Sequence, residues 1–127
     1  MKVKQLSVFL ENKTGRINEV AKTLGKNGIN MIAFSLAESA DFGILRILVS
    51  DTALAVKVLK EAHFAVKESD VICLECSNEP GALAGILDTL SAENIFIEYM
   101  YAFACGGSAN IVIRPTDIDG CAAVLGR

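Results

Sequence analysis

The sequence predicts an α+β protein of two tandem β-α-β-β-α-β units packed side by side, with antiparallel sheets and helices on one face. Three observations support this. The chain repeats itself without a gap at an offset of 66 residues, which places Gly81 over Gly15. Short segments of alternating or dense apolar residues indicate strands. Apolar residues at i, i+3, i+4 and i+7 indicate helices that bury one stripe against a sheet.

The first unit spans residues 1–69, and each of its elements follows from a local signal. Glycines end its first helix because glycine tolerates the left-handed conformation that stops a helix, and an Asp or Thr can cap the second helix. The predicted elements are, in order, the strand Leu6–Leu10, a helix ending near Gly25–Gly28, the strands Met31–Glu38 and Gly43–Ser50 around a turn at Ser39-Ala40-Asp41, a helix from Asp51 or Thr52 to about Ala62, and the strand Phe64–Val66.

The second unit spans residues 70–127 and repeats this order, but its fourth strand is missing or truncated. Its second helix reaches only Gly126-Arg127. Either the chain is clipped or naturally short, or the unit leaves a sheet edge that another chain covers. The predicted elements are the strand Ile72–Cys76, a helix ending near Glu93-Asn94, the strands Ile97–Cys105 and Ser108–Arg114 joined through Gly106-Gly107, and a helix from about Asp117.

Composition excludes several classes of protein. The formal net charge is −3 and aromatic residues make up 6% of the chain, which argues against binding to nucleic acid. No apolar run is long enough to span a bilayer, and the N-terminus lacks the apolar core of a secretory signal. We therefore expect a cytoplasmic protein with no membrane contact, whose four cysteines stay reduced.

The residues offer little for catalysis or for metal binding. Cys73 and Cys76 form a C-x-x-C, but they lie within a predicted strand, where residues three apart face opposite sides of the sheet. Cys76 takes the place of a core leucine, and Cys105 and Cys121 are expected to serve as small apolar residues. His63 is the only histidine and has no acid or nucleophile beside it in sequence. We expect no enzymatic activity, no metal and no cofactor.

The loop after the first strand carries a recognisable motif in both copies. In the second copy it reads Asn78-Glu79-Pro80-Gly81-Ala82-Leu83, followed by a helix and by Asn94-Ile95-Phe96-Ile97. In the first copy it reads Asn12-Lys13-Thr14-Gly15-Arg16-Ile17, with Thr14 where the family often has proline. A strand, this motif and a helix resemble the ACT domain, the small amino-acid-sensing module of metabolic enzymes, which has the ferredoxin-like β-α-β-β-α-β order. The resemblance covers nearly the whole chain.

The resemblance implies a function and a site. ACT domains commonly pair side by side, often through their second strands, and bind a free amino acid at the interface near the first strand–helix loop. The implied protein is a regulatory sensor without a catalytic domain, a homodimer, and a partner of some metabolic enzyme. The implied ligand-binding residues are Asn12, Lys13, Thr14, Gly15, Arg16 and Ile17, their counterparts Asn78, Glu79, Pro80, Gly81, Ala82 and Leu83, and Tyr99, Met100 and Tyr101 across the interface.

The chemistry of the two loops favours the first copy as the ligand site. A helix N-terminus carries free N–H groups and partial positive charge, which suit a carboxylate, and a glycine lets the backbone come close. Lys13 and Arg16 add positive charge to the first loop, whereas Glu79 would repel an anion and Pro80 removes a donor. Strand residues such as Ile32, Ala33 and Phe34 could line an apolar pocket or belong to the core. Alternatively, both loops are plain turns, and the chain is an interaction module or a regulatory subunit with degenerate, empty pockets.

Overall fold

A computed structural model of the protein describes residues 2–11, 13–38 and 41–126. Within this part of the chain, six strands and four helices follow one another in the predicted order, except that two predicted strands form one, and every strand pairing with a recorded register is antiparallel. The α+β class is therefore confirmed. The elements are β1 (Lys2–Glu11), α1 (Arg16–Lys26), β2 (Met31–Glu38), β3 (Phe42–Val49), α2 (Thr52–Glu61), β4 (Ala65–Ser77), α3 (Ala82–Ala92), β5 (Ile97–Cys105), β6 (Ser108–Pro115) and α4 (Ile118–Leu125).

Contacts divide the chain into two units. The first unit comprises residues 4–69, and the second comprises residues 70–126 together with residues 2–3. The sequence places residues 2–3 in the first unit, whereas their contacts place them in the second. A contact with α4 explains this difference. The Lys2 Nζ atom donates to the carboxylate of Asp119 in α4 at 2.9 Å, which fastens the start of β1 to the second unit.

Each unit has its own four-strand order. In the first unit the order is β2-β3-β1-β4, and in the second it is β1-β4-β6-β5, where β1 contributes only its first residues. The strand residues Lys2 and Val3 lie next to β4 and take, in the second unit, the place that β4 takes in the first.

β4 is one uninterrupted strand of 13 residues, Ala65–Ser77. The sequence predicted two separate strands here, Phe64–Val66 and Ile72–Cys76. That separation was wrong, because residues 67–71 continue the extended backbone without a break. These residues include no glycine or proline that would turn the chain. The last strand of the first copy and the first strand of the second copy are therefore the same element.

The register of the strands repeats at the offset found in the sequence. Leu6 lies opposite Ile47, and Ile72 lies opposite Ile113. The irregularity in β2 falls between Met31 and Ala33, and the one in β5 falls at the corresponding place, between Ile97 and Tyr99. A bulge inserts one extra residue into a strand and so changes the direction of the side chains beyond it. The internal duplication thus extends to backbone detail.

Each unit buries one face of its strands beneath its helices. The apolar residues of this face alternate along the strands, while those on the helices recur at the helical period. The buried cluster of the first unit is Leu6, Val8, Leu10, Val20, Leu24, Ile29, Leu45, Ile47, Ala55, Val58, Leu59 and Phe64. The buried cluster of the second unit is Ile72, Leu90, Ile111, Ile113, Cys121 and Val124.

The helix ends follow the predicted local signals. Asp51 and Asp117 cap α2 and α4 by accepting the N–H groups of Leu54 at 3.1 Å and Gly120 at 2.9 Å. Beyond the end of α1, Gly28 has φ +72°, and beyond the end of α3, Asn94 has φ +55°. No helix in the described part of the chain is both long and apolar enough to cross a membrane.

Replacing Leu24 with Ala should lower the free energy of unfolding by about 2–5 kcal/mol, because a fully buried side chain would leave a cavity in the first unit. Urea unfolding followed by circular dichroism would measure the loss. Lys22→Ala, two residues away on the exposed face of α1, is the control and should change this free energy by at most about 0.5 kcal/mol. Equal effects of the two substitutions would contradict the burial of Leu24.

Candidate functional site

The first strand–helix loop, here called loop one, comprises residues 12–15 between β1 and α1. The Lys13 N–H donates to the Glu11 carbonyl at 2.8 Å. Gly15 is the N-cap of α1 with φ +92°, a left-handed conformation that an L side chain rarely adopts. None of the side chains that the structure describes caps the helix there by a hydrogen bond. The sequence thus needs glycine at this point, and the first turn of α1 begins with N–H groups directed toward the loop.

A small cleft of about 120 Å³ opens beside loop one. It lies within the first unit, between the end of β1, the first turn of α1 and the edge of β2. It is lined by Leu10, Glu11, Lys13, Arg16, Ile17, Leu36 and Gly43. Polar and charged groups thus share the cleft with apolar side chains, the usual composition of a small-molecule site.

Charges of both signs meet at the cleft. Lys13 pairs with Glu11 at 3.3 Å, and both side chains are largely exposed. Arg16 donates from Nη1 to Oε2 of Glu19 at 2.6 Å, one turn further along α1. An exposed ion pair contributes little to stability and exchanges readily with other ions. The cleft therefore offers cations that can bind the carboxylate of a ligand, and a carboxylate that can bind the ammonium group of a ligand.

Arg16 is held more firmly than the other charged residues of the cleft. Only 18% of its side chain is exposed, and its guanidinium lies 4.5 Å from the centre of the Phe64 ring. This is the distance of a cation–π contact. Its Nε atom is buried and has no hydrogen-bond acceptor among the described residues. Leaving a buried donor unsatisfied costs about 1–3 kcal/mol, so the atom is suited to an acceptor that the chain itself does not provide.

Of the residues predicted for loop one, Lys13, Arg16 and Ile17 line the cleft, and Thr14 is exposed. Asn12 lies outside the described residues. The prediction missed the lining residues Leu10, Glu11, Leu36 and Gly43. One signal could have found the last of these, since a glycine inside a strand often marks close approach of other groups. A Cβ on Gly43 would lie 3.3 Å from the Leu36 side chain.

The corresponding loop of the second copy, loop two, has the same backbone form but different chemistry. Gly81 caps α3 with φ +90°. The Asn78 N–H donates to Gly107 at 3.1 Å, and the Ala82 N–H donates to Glu79 at 3.2 Å, so the loop satisfies some of its own donors. Ala82 replaces Arg16 and Glu79 replaces Lys13, which leaves loop two without either cation. Pro80 and Leu83 are exposed.

The predicted apolar residues fall at several different places. Met100 packs against the buried cluster of the second unit, whereas Tyr99 and Tyr101 lie opposite Arg114 and Val112 on β6. None of the three lines the cleft at loop one. On β2, Ala33 is buried, while Ile32 and Phe34 are exposed, Phe34 by 61%.

Cys73 and Cys76, the two cysteines of the C-x-x-C, do not converge on a site. Cys76 packs against the buried cluster of the second unit, and Cys73 takes the opposite parity on β4. In the part of the chain that the structure describes, no group of three or more His, Cys, Asp or Glu residues could hold a metal ion. The side chain of Cys105 lies outside that part. His63 occupies a turn after α2, with φ +68°.

The sequence model of the ACT domain pair matches residues 1–125. The chain belongs to this family. The resemblance inferred from the two loop motifs is therefore confirmed, and the candidate cleft lies at the first strand–helix loop of the first ACT unit. A comparison with proteins of curated function gives no match.

Solved structures agree with the ACT fold. Protein BT0572 from Bacteroides thetaiotaomicron is 56% identical, with a TM-score of 0.95 over 99% of this chain and 88% of that chain. The ligand-free regulatory subunit of aspartate kinase from Thermus thermophilus is 10% identical, with a TM-score of 0.70 over 99% and 93%. The same subunit from Thermus flavus is 11% identical, with a TM-score of 0.66 over 99% and 94%. The two Thermus proteins share the fold with this ACT pair.

Cys121 should be alkylated by iodoacetamide only after denaturation. Its side chain is fully buried, and burial together with the charge of Asp117 raises the pKa of its thiol. A raised pKa lowers the fraction of reactive thiolate at mildly alkaline pH. Burial also raises the pKa of the half-buried Cys73 thiol, which should react slowly but measurably. Peptide mass spectrometry of native and unfolded protein would measure both, and rapid native labelling of Cys121 would contradict its burial.

Proposed function

We propose that this chain is a cytoplasmic regulatory protein that binds a free amino acid at loop one and has no catalytic activity of its own. The observation that carries the proposal is the two-signed cleft beside the N-terminus of α1. An amino acid at neutral pH bears a carboxylate and an ammonium group close together. The cleft is lined by Glu11, Lys13 and Arg16, and these charges of both signs match the two charges of the ligand.

The position of the cleft adds to this match. The first-turn N–H groups of α1 and the partial positive charge of the helix end favour a carboxylate. The space beside Gly15 is open, since among the described residues no atom other than those of its own chain neighbours lies within 4 Å of where its Cβ would be. Loop two has the same glycine but lacks the cations, so we assign ligand binding to loop one.

We further propose that the protein is a homodimer that pairs through β2. This strand is at the edge of the first unit, so its outer backbone groups are free to pair with another strand. It also presents Ile32, Phe34 and Leu36, which are about half exposed or more. A second copy of β2 would complete the sheet and cover these side chains, as in β-strand addition. Leu36 lines the cleft as well, which would link ligand binding to pairing.

Regulation would follow from a difference in affinity between two states of the pair. A ligand shifts an equilibrium only by as much as it prefers one state over the other. Two proteins of the same fold are regulatory subunits of aspartate kinase. By analogy with them, we propose that the partner of this chain is a metabolic enzyme, whose identity the residues do not specify.

A second candidate function is an interaction module with empty pockets. Loop two, which lacks the cations of loop one, and the exposed apolar side chains of β2 favour it. It differs from the first proposal in a measurable way, because its association would not respond to any amino acid.

An amino acid that binds should raise the melting temperature of the purified protein by several degrees. A ligand at 100 times its dissociation constant stabilises the folded state by about 2.7 kcal/mol. A thermal-shift screen with each common amino acid at millimolar concentration would detect this.

Two glycine variants locate the site within that screen. Gly15→Val should abolish the shift, because valine cannot readily adopt φ +92° at the cleft. Gly81→Val is the matched control, since it strains loop two at φ +90°, and it should keep the shift. Retention of the shift in Gly15→Val, with loss in Gly81→Val, would move the site to loop two. No shift with any amino acid would favour the interaction module.

Pairing through β2 predicts that Phe34→Asp converts the dimer to a monomer, because a carboxylate would have to be buried at the interface. Sedimentation equilibrium would measure the change. Phe96→Asp is the control, as Phe96 is even more exposed, at 68%, but lies in the second unit before β5. It should leave the dimer intact. A wild-type monomer, or dissociation by Phe96→Asp alone, would refute this pairing.

A further inference from the structure

Arg16 combines three features that are found together at loop one. It lines the cleft, its Nη1 atom is bound to Glu19, and its Nε atom is buried without an acceptor. A carboxylate can bind either of two edges of a guanidinium. One edge is formed by the two terminal nitrogens, and the other includes Nε. Because Glu19 engages Nη1, the edge that includes Nε is the one left for a further acceptor, which can reach Nε once the groups that now cover this atom move aside.

We propose that Arg16 is the residue that selects the ligand, by binding the carboxylate of an apolar α-amino acid through the edge that carries Nε. Its role depends on the proposed function, because it concerns the ligand of the same cleft. The ammonium group of the ligand would then face Glu11.

Phe64 and Glu19 are positioning residues for this carboxylate site. The Phe64 ring is buried, and the guanidinium carbon lies over it at 4.5 Å from its centre. Together with the 2.6 Å bond to Glu19, this contact restrains the position of the fork. An arginine held in this way loses little further freedom when it binds a planar carboxylate.

The apolar class of the side chain follows from the size and walls of the cleft. Its volume of about 120 Å³ equals the share of roughly four water molecules, which suits the main-chain atoms of an amino acid. The side chain must therefore leave the cleft past Ile17 and Leu36, which are 38% and 54% exposed. Contact with these two residues would remove apolar surface from water on both sides.

Comparison of the two copies limits binding to one ligand per chain. The position of Arg16 is taken by Ala82 in the second copy, and the position of Glu19 is taken by Gly85. Both the carboxylate-binding residue and one of its positioning residues are therefore absent from loop two, although the backbone of Gly81 matches that of Gly15.

The test is a thermodynamic cycle. The ligand loses its carboxylate by conversion to the amide, and the protein loses the guanidinium of Arg16 by substitution. Isothermal titration calorimetry would use valine, leucine, isoleucine, methionine and phenylalanine, and the amide of each. Wild-type protein should bind at least one of these acids about tenfold or more tighter than its amide, with one ligand per chain. In Arg16→Met, the preference for the acid should disappear. Ala82→Met, the same side chain at the equivalent position, should keep it.

Two further variants distinguish the contribution of the planar guanidinium to binding from the contributions of its charge and of packing. Arg16→Lys keeps the charge but not the planar fork, so it should lose most of the preference for the acid. Phe64→Leu keeps an apolar side chain but removes the ring, so binding of the acid should weaken while binding of the amide stays the same. A merely structural role of Phe64 would weaken both equally.

The outcomes separate failure of the site from failure of the residue. If no common amino acid binds the wild-type protein, the proposed function fails and the role of Arg16 fails with it. If the acid binds but Arg16→Met weakens the affinity for the acid and for the amide by the same factor, the function stands and the carboxylate role of Arg16 is overturned. Binding of polar amino acids alone would overturn the apolar class, and two ligands per chain would overturn the restriction to loop one.

Discussion

Burial of one sheet face beneath two helices is the interaction on which both units depend. Each unit has roughly 60 residues, a size at which little surface is buried per residue and stability is marginal. The fold meets this constraint by sharing strands, because β1 and β4 each give residues to both units. The first unit is the continuous segment 4–69, whereas the second joins residues 2–3 to residues 70–126. The salt bridge between Lys2 and Asp119 is a local sign of this sharing, since it fastens the first residues to the last helix.

The candidate site is a consequence of the same architecture. The core places β1 next to β3 in a register that sets Leu10 opposite Gly43, and β2 follows β3 at the edge with Leu36 exposed. The loop that leaves β1 must turn at once into α1, which requires the left-handed glycine. A cleft then forms where the loop, the helix start and the edge strand meet. Its charges come from Glu11 at the end of β1, Lys13 in loop one and Arg16 at the start of α1, and the second copy has Glu79 and Ala82 in place of the two cations.

Most of the fold could be predicted from the sequence, because short-range periodicity and the repeat encode it. The ends of α1 and α3, the cap at Asp51 and the bounds of β2 and β5 follow from local signals. The continuity of β4 could not be predicted from its polar middle residues, since exposed strand residues and linkers have similar composition. The site was only partly predictable. Leu36 and Gly43 reach the cleft through strand register, and Phe64 reaches Arg16 through packing of residues 48 positions apart.

The bulge that recurs in β2 and β5 is evidence of how the molecule arose. An irregularity at the same place in both copies is most simply inherited from a single ancestral unit, as are the left-handed glycines of the two loops and the Asp caps of α2 and α4. Arg16 and the exposed apolar residues of β2 are replaced by other residues in the second copy. These differences between the copies therefore arose after the gene was duplicated. The backbone of the site is thus older than the difference in its chemistry. The second copy preserves the inherited loop but has no cation at the positions of Lys13 and Arg16.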